Sequence, residues 1–362
     1  MVGWTYVTPY KQIETDKDIT DELIEDILSK PPERIQIGWS SVNELSNKSW
    51  KILNEKIFAK NNNIALRIFG SHFIDGKILK YLDNVKLLSL ETDTKVNNPA
   101  NITALSQLKE LTFFGEEQID FSFFKSLGDK LTDLYIGTHK KAFYKTDITQ
   151  VSCLENLTGI FIDGYNKNLP DIFSNFKLLE SVVLRYVSGI NSPDFLVKLP
   201  LLRKLHIKSG GFKDLKILGQ LYTVQLLELW NTRSIKSIDF ISTMKRLQYL
   251  SLESVNGPTK FPEIDQIPQL RKIRMLSVKN LNDFSSLANT KSVVDFLCIT
   301  VGNQLPSDFI PVMQNPHITN VGLSADKVSL HNELEALCKK YNKKGVESPE
   351  IFELYKLEDP VN

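Results

Sequence analysis

The motif L-x-x-L-x-L recurs along this chain at a nearly constant interval. In "LQYLSLESV" it supplies Leu247, Leu250 and Leu252, a spacing that is neither helical nor strictly alternating. Copies start at Val85, Leu108, Leu131, Leu157, Leu179, Leu202, Val224, Leu247, Leu270, Val293 and Ile318, with a degenerate first copy at Asn63. The start-to-start spacings are 22, 23, 23, 26, 22, 23, 22, 23, 23, 23 and 25. One copy is too short to bury its own apolar residues. Copies stacked side by side share a continuous core, so the period predicts a repeat array of short parallel strands. A compact chain of 362 residues would normally divide into two or three domains, but an array grows along one axis and escapes that expectation.

The segments between strands carry their own mark. "DFL" at Asp194–Leu196, "DFI" at Asp239–Ile241 and "DFI" at Asp308–Ile310 each begin 15 residues after their repeat starts. The aspartates are expected to cap short helical turns and the apolar pair to enter the core. The open ends of an array expose apolar surface and need covers. Residues 1–60 read as an N-terminal helical cap, with Thr20 as N-cap, Ile19, Leu23, Ile24, Ile27 and Leu28 on one face, and a second helical stretch over Ser49–Lys60. Within it, "RIQIGW" reads as a first strand. Residues 61–328 are the array. Residues 329–362 read as a C-terminal helical cap and an acidic, loosely packed tail, with Ser329 as N-cap and a stop near Gly345.

The period and motif resemble the leucine-rich repeats, in particular the short-period bacterial, internalin-like class. That resemblance implies an α/β fold: a curved right-handed horseshoe with a parallel concave sheet of about twelve strands and helical caps. It also implies protein binding. The sequence departs from that class at one position. Asparagine is common there three residues beyond the third apolar site, whereas this chain has Asp93, Glu116, His139, Tyr165, Val187, Gly210, Thr232, Val255, Val278 and Val301. No asparagine ladder is expected, and the turn must satisfy its backbone in another way.

Signals for chemistry are sparse. H-E-x-x-H, C-x-x-C, the P-loop and G-x-G-x-x-G are all absent. The five histidines, His72, His139, His206, His317 and His331, show no metal-ligand spacing. Cys153, Cys298 and Cys338 are odd in number and far apart, which fits a reducing compartment, and Cys298 is expected in the core. Cytoplasmic localisation follows as the expectation, as the first residues, "MVGWTYVTPYKQIETD", do not read as a secretory signal. No apolar run approaches the roughly 18 residues of a membrane span. Forty-four Lys plus Arg against 43 Asp plus Glu give a net charge of +1, without the basic excess that phosphate neutralisation requires. No enzyme activity, cofactor, metal, nucleic acid or membrane is expected.

The x residues of each motif point away from the core, so equivalent positions line up from repeat to repeat. Along this face stand Phe114, Tyr135, Phe161, Asp163, Arg185, His206, Lys208, Glu228, Trp230 and Tyr249. Aromatics ringed by charges are the composition of interface hot spots. The chain therefore reads as a non-catalytic scaffold, monomeric when unbound, whose concave face binds a protein partner. A specific version is an immunity protein or inhibitor covering a toxin or enzyme. The alternative is a module binding carbohydrate or another ligand. The 26-residue repeat adds the loop "GTHKKAFYKTD", which reads equally as a rim framed by Lys140, Lys141 and Lys145 and as a solvated insertion.

Overall fold

The computed structural model describes residues 10–13, 19–38, 45–70, 73–115, 119–138, 140–232, 234–299, 302–346 and 357, the first of these stretches by backbone alone. The N-terminal nine residues, Trp39, His72, Glu116, His139, Val301 and nearly all of the acidic tail lie outside the described residues. The chain divides into two compact units, Met1–Leu179 and Glu180–Asn362.

In the first unit the strands β1 (Tyr10–Ile13), β2 (Arg34–Gly38), β3 (Ala65–Gly70), β4 (Leu87–Thr92), β5 (Glu110–Phe114), β6 (Asp133–Gly137) and β7 (Gly159–Asp163) pair in chain order, all parallel. In the second unit β8 (Ser181–Arg185), β9 (Lys204–Lys208), β10 (Leu226–Trp230), β11 (Tyr249–Glu253), β12 (Lys272–Leu276), β13 (Asp295–Ile299) and β14 (Asn320–Leu323) do the same. The sheet thus starts before residue 61, because "RIQIG" and "YKQI" both join it. The second of these has no apolar alternation to announce it. In β11, Leu250 and Leu252 are completely buried, as is Leu247 just before the strand. The same inside positions are filled by Leu205 and Ile207, Leu227 and Leu229, and Ile273 and Met275. Cys298 lies in this core, and burial pushes its thiol up to about 12.

The turn after each strand shows how the backbone is satisfied. Tyr186, Ser209, Asn231, Ser254 and Ser277 follow their strands directly and adopt the left-handed conformation, with φ between 52° and 54°. Each then donates its N–H to the last strand residue of the next repeat: Lys208, Trp230, Glu253, Leu276 and Ile299, at 2.7–3.0 Å. Main chain thus takes the place of the missing side-chain amides. Contrary to expectation, however, a short asparagine ladder does exist. Asn303 donates to Asn280 Oδ1 (2.9 Å) and Asn280 to the Asn256 carbonyl (2.6 Å), one or two residues past the position considered.

The return segments are mostly 3-10 turns. Phe195, Leu196, Phe240, Ile241 and Phe309 enter the core as expected. The capping aspartates are different ones. Asp75, Asp120, Asp147, Asp214 and Asp283 each accept the N–H two residues on, at 2.8–3.0 Å. Asp194 and Asp239 are instead the first residues of their turns, while Asp308 accepts from the Leu305 N–H (2.8 Å).

Helix α1 (Asp21–Ser29) is capped by Thr20, whose Oγ1 accepts from Leu23 N (3.2 Å), and buries Ile24 and Ile27. The stretch Asn47–Ile52 forms α2, capped by Ser46, and continues as one π-turn over Leu53–Phe58. Helix α3 spans Val328–Lys340. Ser329 falls inside it rather than capping it, and the chain turns at left-handed Asn342 rather than at Gly345. Leu334 is its buried residue; Leu337, Cys338 and Tyr341 are half-buried.

Candidate functional site

In each unit the residues that alternate with the buried leucines form the outward strand face. On the first unit, Tyr135 and Phe161 are register partners on β6 and β7. Their rings stack with centroids 4.1 Å apart and planes 4° from parallel. Phe114 meets Tyr135 edge-on at 6.5 Å. It stands opposite Gly137, where a Cβ would come within 2.8 Å of its ring, so the phenyl lies down over β6. Phe114 is therefore only 8% exposed, and Asp163, which accepts the Tyr135 hydroxyl (3.3 Å), is fully buried. These two residues were expected to face solvent and do not. Burial and, secondarily, the charge of Asp163 push the Tyr165 phenol well above its ordinary value.

A second cluster on this unit has no counterpart among the residues singled out from the sequence. Arg67 on β3 clamps Glu91 with Nε (2.9 Å) and Nη2 (2.5 Å) and donates to Gln36 (2.8 Å), its guanidinium lying 4.5 Å from the Phe69 ring centre. The signal was present: Arg67 occupies the outward position of the repeat treated as degenerate.

On the second unit, Glu228 organises the face. Its Oε2 meets His206 Nδ1 at 2.5 Å and Lys208 Nζ at 3.0 Å. Burial alone would raise this carboxyl; the hydrogen bond and charge of His206 and the Lys208 ammonium outweigh it and hold the group down to about 2. Lys208 also lies 5.8 Å from the centre of the Trp230 indole, its register partner on β10. Arg185, His206, Lys208, Glu228 and Trp230 are all partly exposed. Tyr249 is not. It packs with Leu297 in an outward apolar cluster completed by Leu226, Ile299 and Val346. Arg274 was likewise expected to be exposed but is 9% so, its guanidinium lying along the sheet against Ser251 (3.2 Å) and Glu253 (3.3 Å). Long side chains laid along a sheet cover the shorter residues of the row next to them, which alternation alone does not reveal.

In the insertion loop Lys140, Lys141 and Lys145 are exposed, while Tyr144 packs inward. Tyr144 sits against Gly164, and its carbonyl accepts from Asn166 (2.8 Å). Among the described residues, no group of three or more His, Cys, Asp or Glu is placed to hold a metal, and no helix is long and apolar enough to cross a membrane.

Parallel strands in chain order, one per repeat, with the motif leucines inside, decide the architecture. The fold is a leucine-rich repeat fold. Solved structures similar to this chain include an internalin of Listeria monocytogenes (13% identity, 90% of this chain and 94% of that one, TM-score 0.47). A leucine-rich repeat protein of Leptospira interrogans is similar at 16% identity, over 90% and 92%, with a TM-score of 0.46. Internalin C2 of Listeria monocytogenes matches at 14% identity, over 61% and 82%, with a TM-score of 0.33. No family model and no curated protein matches the chain.

Proposed function

We propose that this chain is a non-catalytic protein-binding scaffold, and that a protein partner docks on the outward strand face around Arg185, His206, Lys208, Glu228 and Trp230. The observation that carries this reading is the state of Trp230. A large aromatic stands partly exposed on a rigid strand, and the cations beside it are already held by Glu228. A partner binding there orders little that is not ordered already, which is how a small patch yields affinity. Phe161 and Tyr135 offer a separate aromatic platform on the first unit. One face of each ring is taken up by the other. A specific form of the reading is an immunity protein or inhibitor covering a toxin or enzyme. The three cysteines, unpaired and far apart, support a cytoplasmic setting.

The test is affinity capture from the native host, with neighbouring gene products included, followed by calorimetry on the protein captured. Trp230→Ala should weaken binding about thirtyfold or more, and Phe161→Ala should weaken it where the first unit contributes. Lys56→Ala serves as control, because Lys56 makes a solvent-exposed pair with Asp21. A partner whose affinity ignores both aromatic truncations, or that maps to the return segments, overturns the reading.

A further inference from the structure

After helix α3 the chain returns to the sheet. Lys343 Nζ donates to the carbonyls of Asn315 (2.7 Å) and Ile318 (2.6 Å), which pins the chain beneath β14. Lys344 then bridges Asn320 in parallel: its N–H donates to Thr319 (3.0 Å) and its carbonyl accepts from Val321 (2.8 Å). Two residues on, Val346 stands in the outward row. A Cβ on Gly322 would lie 3.5 Å from Val346 and 2.6 Å from Leu297. Val346 is packed against the Tyr249–Leu297 cluster. The chain therefore leaves the described structure on the outward face, seated on an apolar patch and running parallel to β14.

Residues 347–362 read "ESPEIFELYKLEDPVN". They hold five carboxylates (Glu347, Glu350, Glu353, Glu358, Asp359) against Lys356, and the apolar residues Ile351, Phe352, Leu354, Tyr355 and Leu357. Leu357, the one described residue among them, is half-buried. The strand positions of the outward face carry the opposite balance: Arg185, Lys204, Lys208, Lys272 and Arg274 against Glu228, Glu253 and Asp295. Sixteen extended residues reach roughly 50 Å, whereas six strand steps from Val346 to His206 cover roughly 29 Å.

We infer that residues 347–362 dock back across the outward face of the second unit, as an intramolecular occupant of the surface around Lys272, Trp230 and Lys208. Apolar residues of the tail extend the Val346 contact over Leu276 and Ile299, and its carboxylates meet the lysines. The docking stands on these observations alone. Only its consequence, that the tail competes with a partner, rests on the function proposed above.

The experiment is zero-length carbodiimide cross-linking of the full chain, which joins a carboxylate and a lysine amine as an amide when they touch. Peptide mapping of the monomer fraction reads the links. Tail glutamates should be joined to Lys208 or Lys272, while the Lys56–Asp21 pair, 2.7 Å apart, reports that the chemistry worked. Arg185→Gln removes a neighbouring charge without adding or removing a reactive group. It should lower the tail-to-Lys208 yield about fivefold and leave the Lys56–Asp21 link unchanged. The inference is overturned if the control link forms while the tail links only to return-segment lysines such as Lys213 and Lys216, only between copies, or not at all. An unchanged yield in Arg185→Gln counts against it equally. Loss of the tail links would leave partner binding through Trp230 untouched, and a partner indifferent to Trp230 would leave the tail links untouched.

Discussion

Glu228 shows how one side chain sets the properties of its neighbourhood. Its carboxyl titrates near 2 in the folded chain against 4.5 in a free one. A depressed carboxyl stabilises the fold fully above the unfolded value and loses that contribution as pH falls toward the folded one. Glu228→Gln should therefore cost up to about 3 kcal/mol at pH 7, with the difference from wild type shrinking between pH 4.5 and 2; urea melts across that range measure it. A constant difference would mean that the ion pairs with His206 and Lys208 contribute nothing. Leu250→Ala should cost ~2–5 kcal/mol, because the residue is wholly enclosed. Arg274→Ala should cost ~1–2 kcal/mol through its lost hydrogen bonds, less than the leucine but more than an exposed arginine would. Alternation revealed which way Leu250 and His206 point, since direction follows from backbone period. It did not reveal how far Phe114, Asp163, Tyr249 and Arg274 are buried, since that depends on how side chains from adjacent repeats lie over one another.

At the scale of the element, the turn after each strand is the informative piece. Tyr186, Ser209, Asn231, Ser254 and Ser277 differ in side chain yet share one left-handed backbone. That conformation costs a non-glycine residue roughly 1–2 kcal/mol. Ser254→Gly should accordingly be neutral or stabilising by up to about 1 kcal/mol, and Ser254→Val destabilising by about 1–2 kcal/mol, in denaturant titration. Gly257 is a different case. A Cβ there would sit 1.7 Å from the Ile235 carbonyl oxygen, so Gly257→Ala must push adjacent repeats apart and should lower the thermal midpoint far more than Gly345→Ala, which meets nothing. The period located the strands but not these turns, because hydrogen bonds made by main chain leave no trace in residue identity. The caps illustrate the same limit: Thr20 was legible from its sequence neighbours, whereas α3 begins after Lys327 with no side-chain cap, which leaves Ser329 inside it.

For the molecule, the fold was legible almost in full and the site only in outline. A fixed interval of apolar residues dictates stacking, and stacking dictates parallel strands in chain order. Which outward residues matter depends on pairings between repeats, such as Glu228 with His206, and on returns such as Val346, that no single motif contains. The binding prediction belongs at this scale: Trp230→Ala should leave the melting curve of the free chain close to wild type, because the indole is partly exposed already. A large drop in stability would make Trp230 a structural residue instead.

The N–H-to-carbonyl ladder that joins each turn to the next also sets how the second unit responds to force. Its hydrogen bonds run along the stacking direction, and successive strands follow one another in the chain. Tension applied through the two ends of that unit loads those bonds in series, so that they open one row at a time like a zipper rather than all at once in shear. Each repeat of about 23 residues then releases ~80 Å of contour length. An optical-tweezers trace should show low-force steps of that size, and the first to yield should be an end repeat, which has a neighbour on one side only.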